Sequence, residues 1–312
     1  MKYLAICFYA LCLMGTGVQA ADNTTDNTVP KLQLVMLGTG TPNADPGRSG
    51  PAVAVVVGDR SFIFDAGPGI VRRAAAASQK HNIPALGADQ LRTAFLTHLH
   101  SDHTVGLPDL IFTSWVLERP VPLKLYGPKG TRAMAKHLTA AYSEDVHLRL
   151  NGLEPAMPEG HKVDVVEIGK EHRLLDEGGV RIDAVPVLHG SWKESYGYKV
   201  SANSKTIVIS GDARVSPKLI EAATGADILV HEVYSDAGFA RRESVWQKYH
   251  ASFHTSASEL AAIANEAKPK LLVLYHQLYW GTSDEDLVQE IRAAGYDGAL
   301  VSAKDLDLFT LD

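Results

Sequence analysis

An apolar run, Thr93-Ala94-Phe95-Leu96, stops in His98-Leu99-His100-Ser101-Asp102-His103. Three histidines and a carboxylate within six residues are poor material for a hydrophobic core. They are good material for a metal, since imidazole and carboxylate suit zinc and its first-row neighbours. His98 and His100 stand two apart, so at a strand end they project to one side. Asp102 and His103 follow in a turn and reach toward a second position close by. The spacing predicts two metals rather than one, with the remaining ligands drawn from elsewhere in the chain.

The same pattern recurs downstream. Short apolar runs at 180–188, 206–210, 228–230 and 271–275 read as strands and end in His189, Gly211-Asp212, His231-Glu232 and His276. In α/β folds ligands gather at one end of the strands, where loops converge over a rigid sheet. Asp212 has a plainer alternative, capping the helix that follows Pro217.

The N-terminus removes one class of ligand. Residues 1–20 read as a secretory signal peptide: a basic start at Lys2, an apolar stretch at 3–14, and small residues before a cut after Ala20. That stretch is too short to span a membrane. Cys7 and Cys12 both fall inside it, so the mature chain from Ala21 has no cysteine. Disulfides, thiolate ligands and a thiol nucleophile are excluded, and any metal site must be built from His and carboxylate. Residues 21–30 are polar and read as a disordered lead-in. The expectation is a secreted or periplasmic protein with no stable membrane anchor after cleavage.

From residue 31 to 312 no repeat or composition break appears, and the length is ample for one large core. A strand at 32–37 and a hairpin of 52–57 and 61–65 come first. A helix follows through the Ala-rich stretch to Lys80. Helices at 107–117, 131–142, 218–223, 255–267 and 284–294 are interleaved with strands at 123–126, 196–200 and 306–310. Within 255–267, Leu260, Ile263 and Ala264 recur at helical spacing. Residues 143–179 read as turns and short strands, an insertion covering the site. Strand-rich first and alternating later, the chain predicts an α/β domain of two packed sheets with helices on the outer faces. The formal charge of -6 gives no reason to expect a polyanion partner. From Glu118 to Glu177, nine Lys and Arg stand against ten Asp and Glu, so no basic patch declares itself there.

Taken together, H-x-H-x-D-H, the later His189, Gly211-Asp212, and His276 after an apolar strand resemble the metallo-β-lactamase superfamily, from about residue 32 to the end. Within it, Leu37-Gly38-Thr39-Gly40, Phe64-Asp65-Ala66-Gly67, His231-Glu232-Val233 and His254-Thr255 are most similar to the ribonuclease Z branch. That branch also takes in secreted arylsulfatases and cyclic-nucleotide phosphodiesterases. The resemblance implies an αββα sandwich and two zinc ions, with manganese or iron fitting the same ligands. It puts His98, His100 and His189 on the first metal, Asp102, His103 and His276 on the second, and Asp212 between them. Two zincs ~3.5–4 Å apart acidify bound water and stabilise attacking and leaving oxygens. Asp102 counts among the catalytic groups as well as the ligands.

The resemblance also makes His254 and Glu232 a proton-handling pair, the His serving the leaving group and the Glu orienting it. His250 could compete for that role. His231 reads as a supporting or core residue. Tyr275 and Trp280 flank His276 and either line the pocket or pack in the core. Asp65 is a candidate to fix an imidazole tautomer, with capping of the next helix as the alternative. The implied function is secreted hydrolysis of a phosphodiester or aryl sulfate ester by a hydroxide shared between the metals. A lactonase, and a metal-binding protein without catalysis, are the alternatives. A β-lactamase fits poorly, because those enzymes typically lack the shared Asp212 and one class needs a cysteine ligand. The expected partner is a small-molecule ester. A leader that exports the chain and the lack of a basic arm speak against nucleic acid, and a homodimer stays open.

Overall fold

A computed structural model describes residues 31–170 and 172–312. The expected leader, both cysteines and the polar lead-in lie outside the described residues. Short runs of Val, Ile, Leu and aromatic residues bounded by Gly, Pro and Asp make the strands, as these residue types favour a pleated, half-buried surface.

The first sheet collects β1 (Leu32–Gly38), β2 (Ala52–Val57), β3 (Arg60–Phe64), β4 (Thr93–Phe95), β5 (Leu123–Gly127) and β6 (Val163–Glu167). The second collects β7 (Arg173–Glu177), β8 (Val180–Pro186), β9 (Tyr196–Ala202), β10 (Lys205–Ile209), β11 (Ile228–Tyr234), β12 (Leu271–Leu278) and β13 (Leu300–Ser302). The last strand, β14 (Leu308–Leu311), returns to the first sheet. The orders are β14-β1-β2-β3-β4-β5-β6 and β13-β12-β11-β10-β9-β8-β7. Strands β3 to β6 run parallel, as do β10 to β13, so each sheet gathers several strand ends at one edge.

The helices are α1 (Ile70–His81), α2 (Ser101–Thr104), α3 (Leu107–Val116), α4 (Thr131–Ala141), α5 (Ser143–Asn151), α6 (Pro217–Ala223), α7 (Asp236–Ala240), α8 (Ser244–Phe253), α9 (Ala257–Ala267) and α10 (Asp284–Ala293). Three apolar layers hold the elements together. Between the sheets lie Phe64, Phe95, Tyr126 and Tyr198 with Leu34, Val55, Val200 and Val230. Outside the first sheet, Val35, Ile63 and Leu125 pack on Ala74 and Ala77 of α1 and Leu110 and Ile111 of α3. Outside the second, Leu229 and Leu272 pack on Leu219 of α6, Leu260 and Ile263 of α9, and Leu287 of α10. This is the α/β sandwich the chain predicted, sheet on sheet with helices outside.

Two expectations are corrected. Residues 143–179 are no insertion over the site: they form α5 and then β6 and β7, the edge strands of the two sheets. Their side chains alternate only between half-buried and exposed along β6, which leaves a weak hydrophobic signal in the sequence. Likewise β11 does not stop at Val230. It runs on through His231 and Glu232, both buried, to Tyr234.

One buried cation has an architectural role. Arg119, fully buried after α3, donates through Nη1 to the carbonyls of Leu91 and Leu110, and through Nη2 to those of Ile111 and Gly160. Burial pulls its pKa down to about 10.

Asp227 ties three strand starts. Its Oδ2 accepts from Thr206 N–H at 2.8 Å and its Oδ1 from Lys270 Nζ at 2.8 Å. Burial works against the charge, yet the Lys270 ammonium and the Thr206 N–H hold the carboxyl below its usual range. A folded pKa below the unfolded one gives stability that is present above about pH 4 and lost as pH falls through the folded value. Asp227→Asn should therefore cost about 1 kcal/mol at pH 7 and progressively less below pH 4. Urea melts at pH 7 and pH 3 test this; an equal loss at both values would show that the ionised carboxylate is not responsible.

Candidate metal centre

Strand ends and one irregularity bring the donors together. His98 and His100 leave β4, and His100 caps α2, whose first turn carries Asp102 and His103. His189 follows β8, and Asp212 follows β10 through Gly211 at φ 62°. A side chain at Gly211 would place its Cβ 2.9 Å from both Thr97 Cβ and the Tyr196 carbonyl. His276 sits in a β-bulge: Glu232 pairs with Tyr275 and Val233 with Gln277, leaving His276 unpaired at φ 46°. Bulges re-aim side chains next to functional sites, and this one turns an imidazole out of the ladder.

His98 Nε2 lies 2.9 Å from His100 Nδ1, and His189 Nε2 lies 3.1 Å from the same nitrogen. Asp102 Oδ2 lies 3.3 Å from His276 Nε2 and 3.5 Å from His103 Nε2. Asp212 reaches both groups. Its Oδ1 is 3.3 Å from His103 Nε2, and its Oδ2 is 3.6 Å from His276 Nε2 and 3.9 Å from His189 Nε2. His98, His100, His189 and Asp212 converge within 4.8 Å, as do Asp102, His103 and His276. All are buried except His100 and Asp102, which are half-buried and open the centre to solvent.

Asp65 fixes the rings rather than capping α1, whose N-cap is Gly69. Its Oδ2 accepts from His103 Nδ1 at 2.8 Å and from Thr97 Oγ1 at 2.9 Å, and its Oδ1 takes the Thr97 N–H at 2.8 Å. With its proton committed to Asp65, the Thr97 hydroxyl accepts from His98 Nδ1 at 2.9 Å. His189 Nδ1 donates to the Phe253 carbonyl at 2.8 Å. In all three rings Nδ1 carries the proton, so the lone pair of Nε2 faces the centre. His100 is different: the Trp192 indole donates to its Nε2 at 2.9 Å, which puts the ring proton on Nδ1. Ligation through His100 Nδ1 therefore requires that proton to leave.

The donors fit a divalent cation. His103 Nε2 and Asp212 Oδ1 are buried and lack a hydrogen-bond partner, a costly state that a cation between them would relieve. Burial holds His98 well below the usual histidine range, lowers His100, and pulls His189 down to about 3. These three rings are neutral, as ligands must be. At the other group burial is overcome by charge. The carboxylates of Asp212 and Asp65 raise His103 well above its usual value, and Asp212 raises His276. In return His276 and His103 hold Asp212 well below the carboxylate range.

Behind Asp212, His254 Nδ1 lies 3.8 Å from Asp212 Oδ2 and 3.4 Å from Glu232 Oε1. Glu232 Oε1 accepts the backbone N–H groups of Ala213 and Thr255, while Glu232 Oε2 and His254 Nδ1 are buried without a hydrogen-bond partner. Burial and the Asp212 charge push the Glu232 carboxyl well up, and burial brings His254 down to about 4. Asp212, His254 and His276 also converge as a third donor group, so ligation and proton handling are both open to His254.

The remaining sequence candidates fall outside. His250 lies against Trp280 at 4.3 Å between centroids; its ring is 5.7 Å from that of His254, whose backbone N–H donates to the His250 carbonyl at 2.8 Å. His231 is buried, its Nδ1 on the Glu232 carbonyl at 2.6 Å, and Tyr275 is in the core. Ser216, not Asp212, caps α6. Thr97, Trp192 and the aromatic face of α8 stand outside the residues the sequence singles out, although the spacing of Trp246, Tyr249 and Phe253 is a signal for the last.

Fold and donor set together define a metal-dependent hydrolase. Residues 60–277 match the family model described as a β-lactamase superfamily domain, and the chain belongs to that superfamily, alongside ribonuclease Z. It is 31% identical over 280 residues to Ribonuclease Z of Mycobacterium bovis (strain BCG / Pasteur 1173P2), covering 88% of this chain and 96% of that one. Among solved structures it is similar to the metallo-β-lactamase fold protein YhfI from Bacillus subtilis, with TM-score 0.68 and 18% identity over 90% of this chain and all of that one. The short form of human tRNase Z gives 0.65 and 22%, over 90% and 99% of the two chains.

Proposed function

We propose that this protein is an exported dinuclear zinc hydrolase that cleaves phosphodiester bonds. The observation that carries it is Asp212, within 4 Å of imidazoles from both donor groups, with Glu232 and His254 behind it. His98, His100 and His189 would hold one metal, Asp102, His103 and His276 the other, and Asp212 both. Bound metals would acidify water and stabilise charge on the attacking and leaving oxygens.

The protein's own groups handle the remaining proton. Burial brings His254 down to about 4 and, with the Asp212 charge, pushes Glu232 up, so a proton can pass between the two groups. His254 passes a proton to the departing oxygen as the ester bond breaks, and Glu232 orients the ring from 3.4 Å.

The relatives' name, ribonuclease, favours RNA among the substrates and leans against the expectation that spoke against nucleic acid. The half-buried aromatic rings beside His100, Trp192 and Phe253, favour a second reading, an aryl sulfate ester. The test is the purified, zinc-loaded protein assayed on bis(4-nitrophenyl) phosphate, 4-nitrophenyl sulfate, a short RNA and a lactone. Turnover of the phosphodiester is expected; turnover of the lactone alone would sink the assignment. Export is tested by expressing the full chain and sequencing the released protein, which should begin at Ala21.

A further inference from the structure

One bank of the centre is aromatic. Helix α8 carries Trp246, Tyr249 and Phe253 at spacings of three and four, hence on one face. Phe253 lies nearly parallel to His100, with centroids 6.1 Å apart at 24°, and edge-on to His189 at 4.9 Å. Tyr249 stacks on Phe253 at 4.3 Å and 24°, and Trp246 meets Tyr249 edge-on at 5.9 Å. The row begins at proposed ligands and ends in solvent, where Trp246 is 46% and Tyr249 37% exposed.

The backbone makes room for the row. Gly190, next to His189, has φ 53°, and a Cβ there would fall 2.1 Å from the Phe253 ring. A cavity of about 610 Å³ on the Asp102 side has a mixed lining: Asn43, Asp45, Ser49 and Asp102 stand among Pro42, Pro46, Pro68 and Val105. Its one cation, Arg48, is engaged by Asp284 at 2.9 Å and Thr39 at 2.8 Å. Among the described residues, that cavity offers no uncommitted cation for a polyanion, whereas the aromatic bank presents rings to a flat partner, with the Arg242 guanidinium 5.6 Å over Trp246.

We infer that Tyr249 and Phe253, extended by Trp246, bind a planar aromatic group carried on the ester, either a simple aryl ring or a nucleobase. Stacking on an aromatic side chain accepts any flat ring and disfavours a puckered one of the same size. The inference rests on the ester-hydrolase reading and adds the substrate class.

The probes are phenylphosphonate and cyclohexylphosphonate, equal in charge, close in size and without an ester to cleave. Their binding to the zinc-loaded full chain is measured by titration calorimetry. Phenylphosphonate is expected to bind about tenfold more tightly. Tyr249→Ala, an exposed position, should erase that difference by weakening phenylphosphonate more than cyclohexylphosphonate, with zinc content unchanged. Equal affinity for the two probes in the parent protein overturns the inference alone, as does a preference that survives in both Tyr249→Ala and Trp246→Ala. Failure of both probes to bind overturns the ester reading beneath it. Adenosine 5′-monophosphate against ribose 5-phosphate then separates the two sources: a gain from the base adds nucleotides to the class, and no gain limits it to simple aryl esters.

Discussion

Asp212→Asn is expected to lower kcat on bis(4-nitrophenyl) phosphate by roughly 10³-fold and to reduce bound zinc from two per chain to one or fewer. Asparagine keeps the shape and one acceptor oxygen but removes the charge and adds a donor. The position can tolerate neither change. Asp212 is 2% exposed, and its two oxygens lie within 4 Å of imidazole nitrogens of His103, His189, His254 and His276. Those rings lose the carboxylate that balances a cation, and the new amide N–H would point at nitrogens that need an acceptor or a metal. Far-ultraviolet circular dichroism should be unchanged, because the residue lies beyond the end of β10 and outside the ladder. Metal analysis by mass spectrometry alongside the assay decides the matter. Two zincs retained with activity within tenfold of the parent would show that Asp212 is not the shared ligand.

The second large effect is on stability and is far from the chemistry. Arg119→Met should cost about 3–5 kcal/mol, the range for breaking a buried charged network. Four carbonyls, from Leu91, Leu110, Ile111 and Gly160, would lose donors at 2.8–3.1 Å in a site with no water access. Arg119→Lys should not rescue it, since one ammonium cannot reproduce the fork that serves four acceptors. At about 2–4 °C per kcal/mol for a chain of this size, the melting temperature should fall by roughly 10 °C. Zinc bound per folded molecule should stay constant. A loss under 1 kcal/mol by urea titration would mean the carbonyls find other partners.

The donors were legible for a simple reason. His98, His100, Asp102 and His103 end an apolar run, and His189, Asp212 and His276 each follow another, where a core has no use for them. Long-range pairing hid the rest. His231-Glu232 looks like the end of a strand, but β11 continues because β12 pairs with it and buries both residues. The left-handed backbone of His276 exists only because that ladder slips by one residue, and no local residue pattern announces it. Asp65 showed two plausible uses in sequence. Thr97, 32 residues away and unremarkable alone, shares its carboxylate with His103 and decides between them. Helix α8 mixes aromatics with Gln, Lys and His, so its periodicity fades although its aromatic face is regular.

The cluster is divided between the sheets: His98 to His103 hang from the first, and His189, Asp212 and His276 from the second. What holds the halves at a set separation is the filling between them. Phe95 stacks on Phe64 at 5.0 Å and on Tyr126 at 4.7 Å, and Tyr198 of the second sheet meets Phe95 edge-on at 5.6 Å and donates to the Leu96 carbonyl. These rings act as a gauge block. Their bulk fixes how far apart the two halves of the donor set stand, so the spacing of the centre is decided in the core between the sheets.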